Sequence, residues 1–217
     1  MKIYNYELAP KTYVPSYTVK TNIVLHGSLS RTKYTFTGDQ RDETCLMKNW
    51  NIMADKCAGH YVVTRNGTIY RCIDEENWSQ HLGPGKRFNE LNRATIGIFI
   101  TNEMYLEREN GKYYAFGFNK PYNMYTGKVF ARPFKGYDYW ADYEPEQIEA
   151  LTELLKDVCE RNGIPLRMGK YSTSFAPELV DEAGIVSAAN LNRDSYSMPL
   201  PGWVLESFES NGIVLVG

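Results

Sequence analysis

The order of apolar and polar positions divides the chain into strand-like and helix-like segments. Asn22-Ile23-Val24-Leu25-His26 is an apolar run that stops at a polar turn, Gly27-Ser28, and predicts a buried strand. Leu46, Met47, Trp50 and Met53 recur at helical intervals, which predicts a helix over 42–57. His60 to Thr64 and Thr68 to Cys72 predict two strands. The turn between them holds Asn66-Gly67, a hairpin signal because both residues tolerate positive φ. Thr95 to Thr101 reads as a central strand. Residues 105–143 mix Tyr, Gly, Phe and Lys without a clear period and predict a long, partly ordered insertion. Pro145 to about Arg161 carries an apolar stripe at Ile148, Leu151, Leu155 and Val158. Pro145 suits its first position, Asn162-Gly163 its end, and Pro165 blocks a restart. Ile185-Val186 predicts a short strand. This order of strands and helices implies an α/β (α+β) fold: one domain over 1–217, with a central mixed β-sheet flanked by helices.

Composition narrows the function classes. The chain has 217 residues, enough for one domain with a substantial core. A net charge of −2 gives no electrostatic footprint for a nucleic-acid polymer or a membrane surface. No segment approaches the roughly 20 apolar residues that span a bilayer, and the first residues lack the apolar stretch of a secretory signal. The expected location is therefore cytoplasmic, that of the host if the chain is phage-encoded. Cys45, Cys57, Cys72 and Cys159 form no CxxC pair and read as free thiols. The 17 tyrosines supply flat amphipathic rings for a core and for a binding cleft.

The stretch GIVSAANLNRDSYSMPLPGW, residues 184–203, has the frame of a metal-site loop: an apolar strand, a polar loop and a Pro-rich turn. It contains no His and no Cys, and its one carboxylate is Asp194. Four other segments accompany it in order: IVLHGS (23–28), GHYVVTRNGTIYRCIDEENWSQHLG (59–83), ATIGIFITNE (94–103) and YEPEQIEALTELLKDVCERNGIP (143–165). Together they resemble the type 2 N-acetylmuramoyl-L-alanine amidases and their relatives, the peptidoglycan recognition proteins and phage endolysins. The resemblance covers most of residues 20–205, and KGYDYWADYEPEQ adds a phage-like cue.

The resemblance implies a site. In that family two His and one Asp or Cys hold Zn²⁺, leaving a position for water. The metal lowers the pKa of that water to about 7 and polarises the carbonyl of the amide between N-acetylmuramic acid and L-Ala. A Glu or a Tyr assists with protons. By position, the first ligand matches His26. The second falls on Ala188, after Gly184-Ile185-Val186-Ser187. The third falls on Met198, and the oxyanion-stabilising residue two before it on Tyr196. The catalytic Glu falls on Phe99 and the alternative Tyr on Gly59.

One of three ligands is thus retained, and no catalytic residue is expected. His26 alone holds zinc weakly and reads as a polar residue of the cleft floor, bonded to Tyr or water. His60 reads as a core histidine. His81 borders the family's groove, as a ligand contact or as loop scaffolding. Met198 and Phe99 fill the vacated space. The expected ligand-binding set is His26, His81, Phe99, Asp194, Tyr196 and Met198, with no cofactor and no metal. Three readings stay open. One is a metal-free protein binding a muropeptide or another small polar molecule, such as a nucleotide. The second is an active amidase with zinc on an unorthodox site of His26, His81 and Asp194. The third is a protein-interaction module using residues 105–143.

Overall fold

The computed structural model describes residues 2–29, 44–52, 58–115, 124–170, 173–193, 197 and 199–217, positions 29 and 87 by their backbone alone. In chain order the elements are β1 (Ile3–Asn5), β2 (Asn22–Leu29), α1 (Cys45–Ile52), β3 (Tyr61–Val63), β4 (Ile69–Arg71), α2 (Lys86–Ala94) and β5 (Thr95–Asn102). There follow β6 (Tyr105–Glu109), β7 (Lys112–Ala115), β8 (Met124–Tyr125), β9 (Val129–Phe134), β10 (Tyr137–Ala141) and α3 (Pro145–Asn162). The chain closes with β11 (Arg167–Gly169), β12 (Gly184–Ser187), α4 (Ala188–Leu191), α5 (Gly202–Ser210) and β13 (Val214–Val216).

The main sheet runs β1-β4-β3-β5-β2-β12-β11-β13. Every pairing in it is parallel except β3 with β4, so the sheet is mixed, as expected. β2 and β5 pair from Asn22 against Thr95 to Leu29 against Asn102. Alternation then sorts their side chains to two faces. Ile23, Leu25, Ile96, Ile98 and Ile100 pack with Leu151, Leu155 and Val158 of α3 and with Val204 and Phe208 of α5. On the other face Val24 packs with Leu82, Val186, Ala188 and Leu191, and Val62 with Met47 and Trp50 of α1. This second face carries His26.

The helix at 145 follows its sequence signals. Pro145 opens it, and Gly163 closes it in the left-handed region at φ 65°, with the Ile164 N–H donating to Cys159 O at 2.9 Å. The helix over 42–57 is shorter where described, Cys45–Ile52; positions 42, 43 and 53–57 lie outside the described residues. Cys45, Cys72 and Cys159 are free thiols.

Two expectations change. The Asn66-Gly67 turn has positive φ at Gly67 alone, 77°. Thr64 N–H donates to Thr68 O at 2.9 Å, which leaves a three-residue loop of a type I turn and a left-handed glycine. Arg65 occupies the first loop position and turns inward. Its guanidinium meets Glu103 at 3.2 Å, Glu144 at 3.1 Å and the Asp142 carbonyl at 2.8 Å. Residues 105–143 were expected to be partly ordered. Their described part forms an antiparallel five-stranded sheet, β8-β7-β6-β10-β9. Its period is masked in the sequence because tyrosine serves both faces. Tyr105 and Tyr137 stack toward the main core at 3.8 Å, while Tyr113 and Tyr139 cluster with Leu106 on the reverse. β6 and β7 are joined through Asn110-Gly111, both at positive φ, 50° and 76°, a dipeptide not singled out in the sequence. No helix among the described residues is long and apolar enough to cross a membrane.

Candidate functional site

His26 and Phe99 are register partners on β2 and β5, so their side chains leave the sheet side by side. The two rings stack at 4.3 Å with 6° between their planes. Trp50 of α1 holds the far side of Phe99, edge-on at 5.0 Å. His26 is 6% exposed. Its Nε2 lies 2.9 Å from Nδ1 of His81, and Nε2 of His81 lies 2.9 Å from the Thr95 hydroxyl. Thr95 donates onward to the Leu91 carbonyl at 2.7 Å. A chain of polar groups thus runs from the middle of β2 to the end of α2. The expected partner of His26 was Tyr or water; the partner found is His81, because the loop before α2 folds back over the sheet.

Glycines make room for this packing. A Cβ at Gly97 would fall 2.7 Å from Cγ of His81, so the glycine admits the imidazole against the strand. A Cβ at Gly59 would fall 2.3 Å from Cδ2 of Phe99. Positions 59 and 99 are therefore sterically linked.

His60 is a core residue, as expected. Its Nδ1 accepts the Gly97 N–H at 3.0 Å, and its Nε2 donates to the Asn77 carbonyl at 3.1 Å. The rings of His60 and His81 are 6.0 Å apart, so all three histidines of the chain gather here. Burial disfavours their charged forms. It lowers His26 to about 3, and burial with the nearby Lys20 lowers His60 to about 3. Burial, then His26 and His60, hold His81 well below its ordinary value. All three are neutral at pH 7.

Ala188 opens α4 directly after β12, whose Ser187 pairs with Leu25 beside His26. Its methyl is buried among Val24, Leu82, Val186 and Leu191. Asp194, Tyr196 and Met198 lie outside the described residues. Thr95 and Gly97 were not singled out from the sequence; an isolated glycine inside the apolar run Ile96-Gly97-Ile98 was the available signal of close approach.

The donor set can be tested against zinc. A tetrahedral site with ligands at 2.0–2.1 Å needs bare donor atoms roughly 3.4 Å apart. The facing nitrogens of His26 and His81 are closer, at 2.9 Å, and in contact with each other. No group of three His, Cys, Asp or Glu able to hold a metal ion occurs among the described residues. Those residues do not fit a three-ligand zinc site. The cavity beside His26, bounded by Leu25, Gly27, Ile100, Tyr143, Met168, Ser187 and Leu200, measures about 10 Å³, the room of one water. A wider hollow of about 460 Å³ opens near the start of β2, beside Tyr17, Lys20 and Arg161. Of its three carboxylates, Asp74, Glu75 and Glu76, Glu75 is bonded to Tyr61, Arg161 and Asn162.

Comparison with known proteins bears on this site. The chain is similar in fold to N-acetylmuramoyl-L-alanine amidase LysC from Clostridium intestinale URNW, at 12% identity and a TM-score of 0.51, over 99% of each chain. It is similar to the catalytic domain of XlyA at 14% identity and a TM-score of 0.52, over 97% of each chain. A mutant endolysin from Bacillus subtilis matches at 15% identity and a TM-score of 0.51, over 97% of this chain and 96% of that one. Among curated proteins there is no match. The family model described as N-acetylmuramoyl-L-alanine amidase matches residues 16–180, well over half of the chain. With the strand order and His26 in place, the chain belongs to the N-acetylmuramoyl-L-alanine amidase family.

Proposed function

We propose that this member of the family binds a muropeptide over His26 and does not hydrolyse it through zinc. One observation carries the reading: Ala188, the position that the resemblance gives to the second histidine ligand, follows β12 directly, and Ser187 before it pairs with Leu25, the chain neighbour of His26. Two further features support it. His26 Nε2 is committed to His81, and Phe99, the position that the resemblance gives to the family's Glu, lies flat on the imidazole. A metal-bound water and a proton acceptor are the two parts that the reaction needs, and no group of three metal-ligating side chains occurs among the described residues. The muropeptide follows from membership of the family, whose reaction is cleavage of the muramoyl–L-alanine amide.

The test is calorimetric titration with a muramyl tripeptide, beside a nucleotide as control, followed by a cleavage assay with and without added zinc. Saturable muropeptide binding without release of a peptide beginning at L-Ala is expected. Ligand at a hundred times its Kd should add about 2.7 kcal/mol of stability. Chelator-sensitive release of stem peptide, with about one zinc per chain, would restore the active amidase.

A further inference from the structure

The protons of the histidine chain can be assigned from its far end. The Leu91 carbonyl can only accept, so the single Thr95 hydroxyl proton goes to it at 2.7 Å. Thr95 Oγ1 must then accept from His81 Nε2, 2.9 Å away, which puts the His81 proton on Nε2. A neutral imidazole carries one N–H, so His81 Nδ1 is bare and accepts. The atom 2.9 Å from it, His26 Nε2, therefore carries the proton. His26 is neutral too, and its Nδ1 is left as a bare lone pair. No hydrogen bond to that nitrogen occurs among the described residues, although the ring is 6% exposed.

We propose that Thr95 and His81 are positioning residues that fix His26 as its Nε2–H tautomer, so that the site offers its ligand a bare Nδ1 acceptor. The matching group is a hydrogen-bond donor: an amide N–H or a sugar hydroxyl, rather than a carbonyl or carboxylate oxygen. This selection rests on the ligand-binding reading above; the tautomer does not. The local fold favours the arrangement. Thr95 is fully buried at the junction of α2 and β5, and Gly97 admits the His81 ring two residues later. His60 carries its proton on Nε2 for an independent reason, donation to the Asn77 carbonyl.

The experiment is two-bond ¹H–¹⁵N correlation of the ¹⁵N-labelled free protein at pH 7, where protonated and bare ring nitrogens resonate far apart. Three neutral imidazoles are expected, each protonated at Nε2. Thr95→Val removes the acceptor for His81 Nε2–H. His81 should then move its proton to Nδ1, donate to His26 Nε2, and drive His26 to the Nδ1–H form, although residue 95 does not touch it. Thr95→Ser should keep the parental spectrum. Muropeptide affinity should fall up to about tenfold in Thr95→Val, the scale of one hydrogen bond, and recover in Thr95→Ser. A His26 proton on Nδ1 in the parent overturns the assignment, and this readout needs no variant to fold. Unchanged His26 resonances in a folded Thr95→Val protein overturn the positioning role. If no muropeptide binds the parent while the spectra follow the expected pattern, the ligand reading falls and the tautomer relay stands.

Discussion

Adding a single methyl at Gly59 should damage this protein in a way that a second substitution repairs. Gly59 is not among the residues with positive φ. On backbone grounds alone, Gly59→Ala should stabilise by about 0.4–1 kcal/mol through the unfolded chain. The structure predicts the opposite sign. The new Cβ would lie 2.3 Å from Cδ2 and 2.7 Å from Cε2 of Phe99, against an optimal carbon separation of about 3.5–4.0 Å. Phe99 cannot retreat freely, because its ring is stacked on His26 at 4.3 Å and abutted by Trp50 at 5.0 Å. Overpacking of this kind costs about 1–3 kcal/mol. Phe99→Ala alone should cost about 2–3 kcal/mol, below the range of fully buried phenylalanines, because Phe99 is only partly buried. In the double variant the methyl at 59 enters space that the ring has left. The double loss should therefore fall short of the sum by about 1–2 kcal/mol, a coupling within the usual range for residues in contact. Urea unfolding of the four proteins measures this cycle, with an unchanged m-value as the check on two-state behaviour. A Gly59→Ala protein as stable as the parent, or a strictly additive double variant, would refute the packing argument. A catalytic Tyr at 59 would then be compatible with Phe99, contrary to the geometry.

The three neutral histidines set a pH dependence. Their folded pKa values lie below the unfolded value of about 6.5, to about 3 for His26 and His60. The unfolded chain therefore binds more protons below pH 6.5. Stability is full above that pH and is lost as pH falls from 6.5 toward 3. The slope should approach about 1.4 kcal/mol per pH unit for each histidine, read as a falling urea midpoint between pH 7 and pH 5. His60→Gln should flatten the slope by about one proton. A second prediction concerns the two positions that the resemblance gives to zinc ligands: Ala188→His with Met198→Asp should create zinc-dependent stabilisation that neither single change shows, because metal binding to the folded state couples to folding. Without zinc the double variant should be less stable by about 1–3 kcal/mol, because the imidazole at the buried position 188 is left without a partner. Melting temperatures with zinc and with a chelator decide, and an unresponsive folded double variant would disprove the placement of the ligand positions.

Local structure in this protein was legible wherever it depends on neighbours in the chain. The stripe Ile148, Leu151, Leu155 and Val158 between Pro145 and Gly163 specifies α3, because both end residues act through their own backbone preferences. The apolar runs of β2 and β5 mark central strands by their composition alone. The family was legible for a related reason: its motifs are short segments whose order survives great divergence elsewhere. What the sequence left open depends on groups far apart in the chain. Asn66-Gly67 announced a hairpin turn, but not that Arg65 beside it would turn inward to Glu103 and Glu144, 38 and 79 residues away. The tyrosines of 105–143 hide a sheet whose pairing defines which ring faces which side. His26 and His81 stand 55 residues apart, and nothing in either segment announces that their nitrogens meet at 2.9 Å. That contact arises from the parallel register of β2 with β5, the glycine at 97 and the return of the loop before α2. Phe99 and His81 could be named from the sequence as residues of one site with His26; which nitrogen of His26 is bonded and which is left unbonded among the described residues is decided only by the tertiary packing along the chain of polar groups to Leu91.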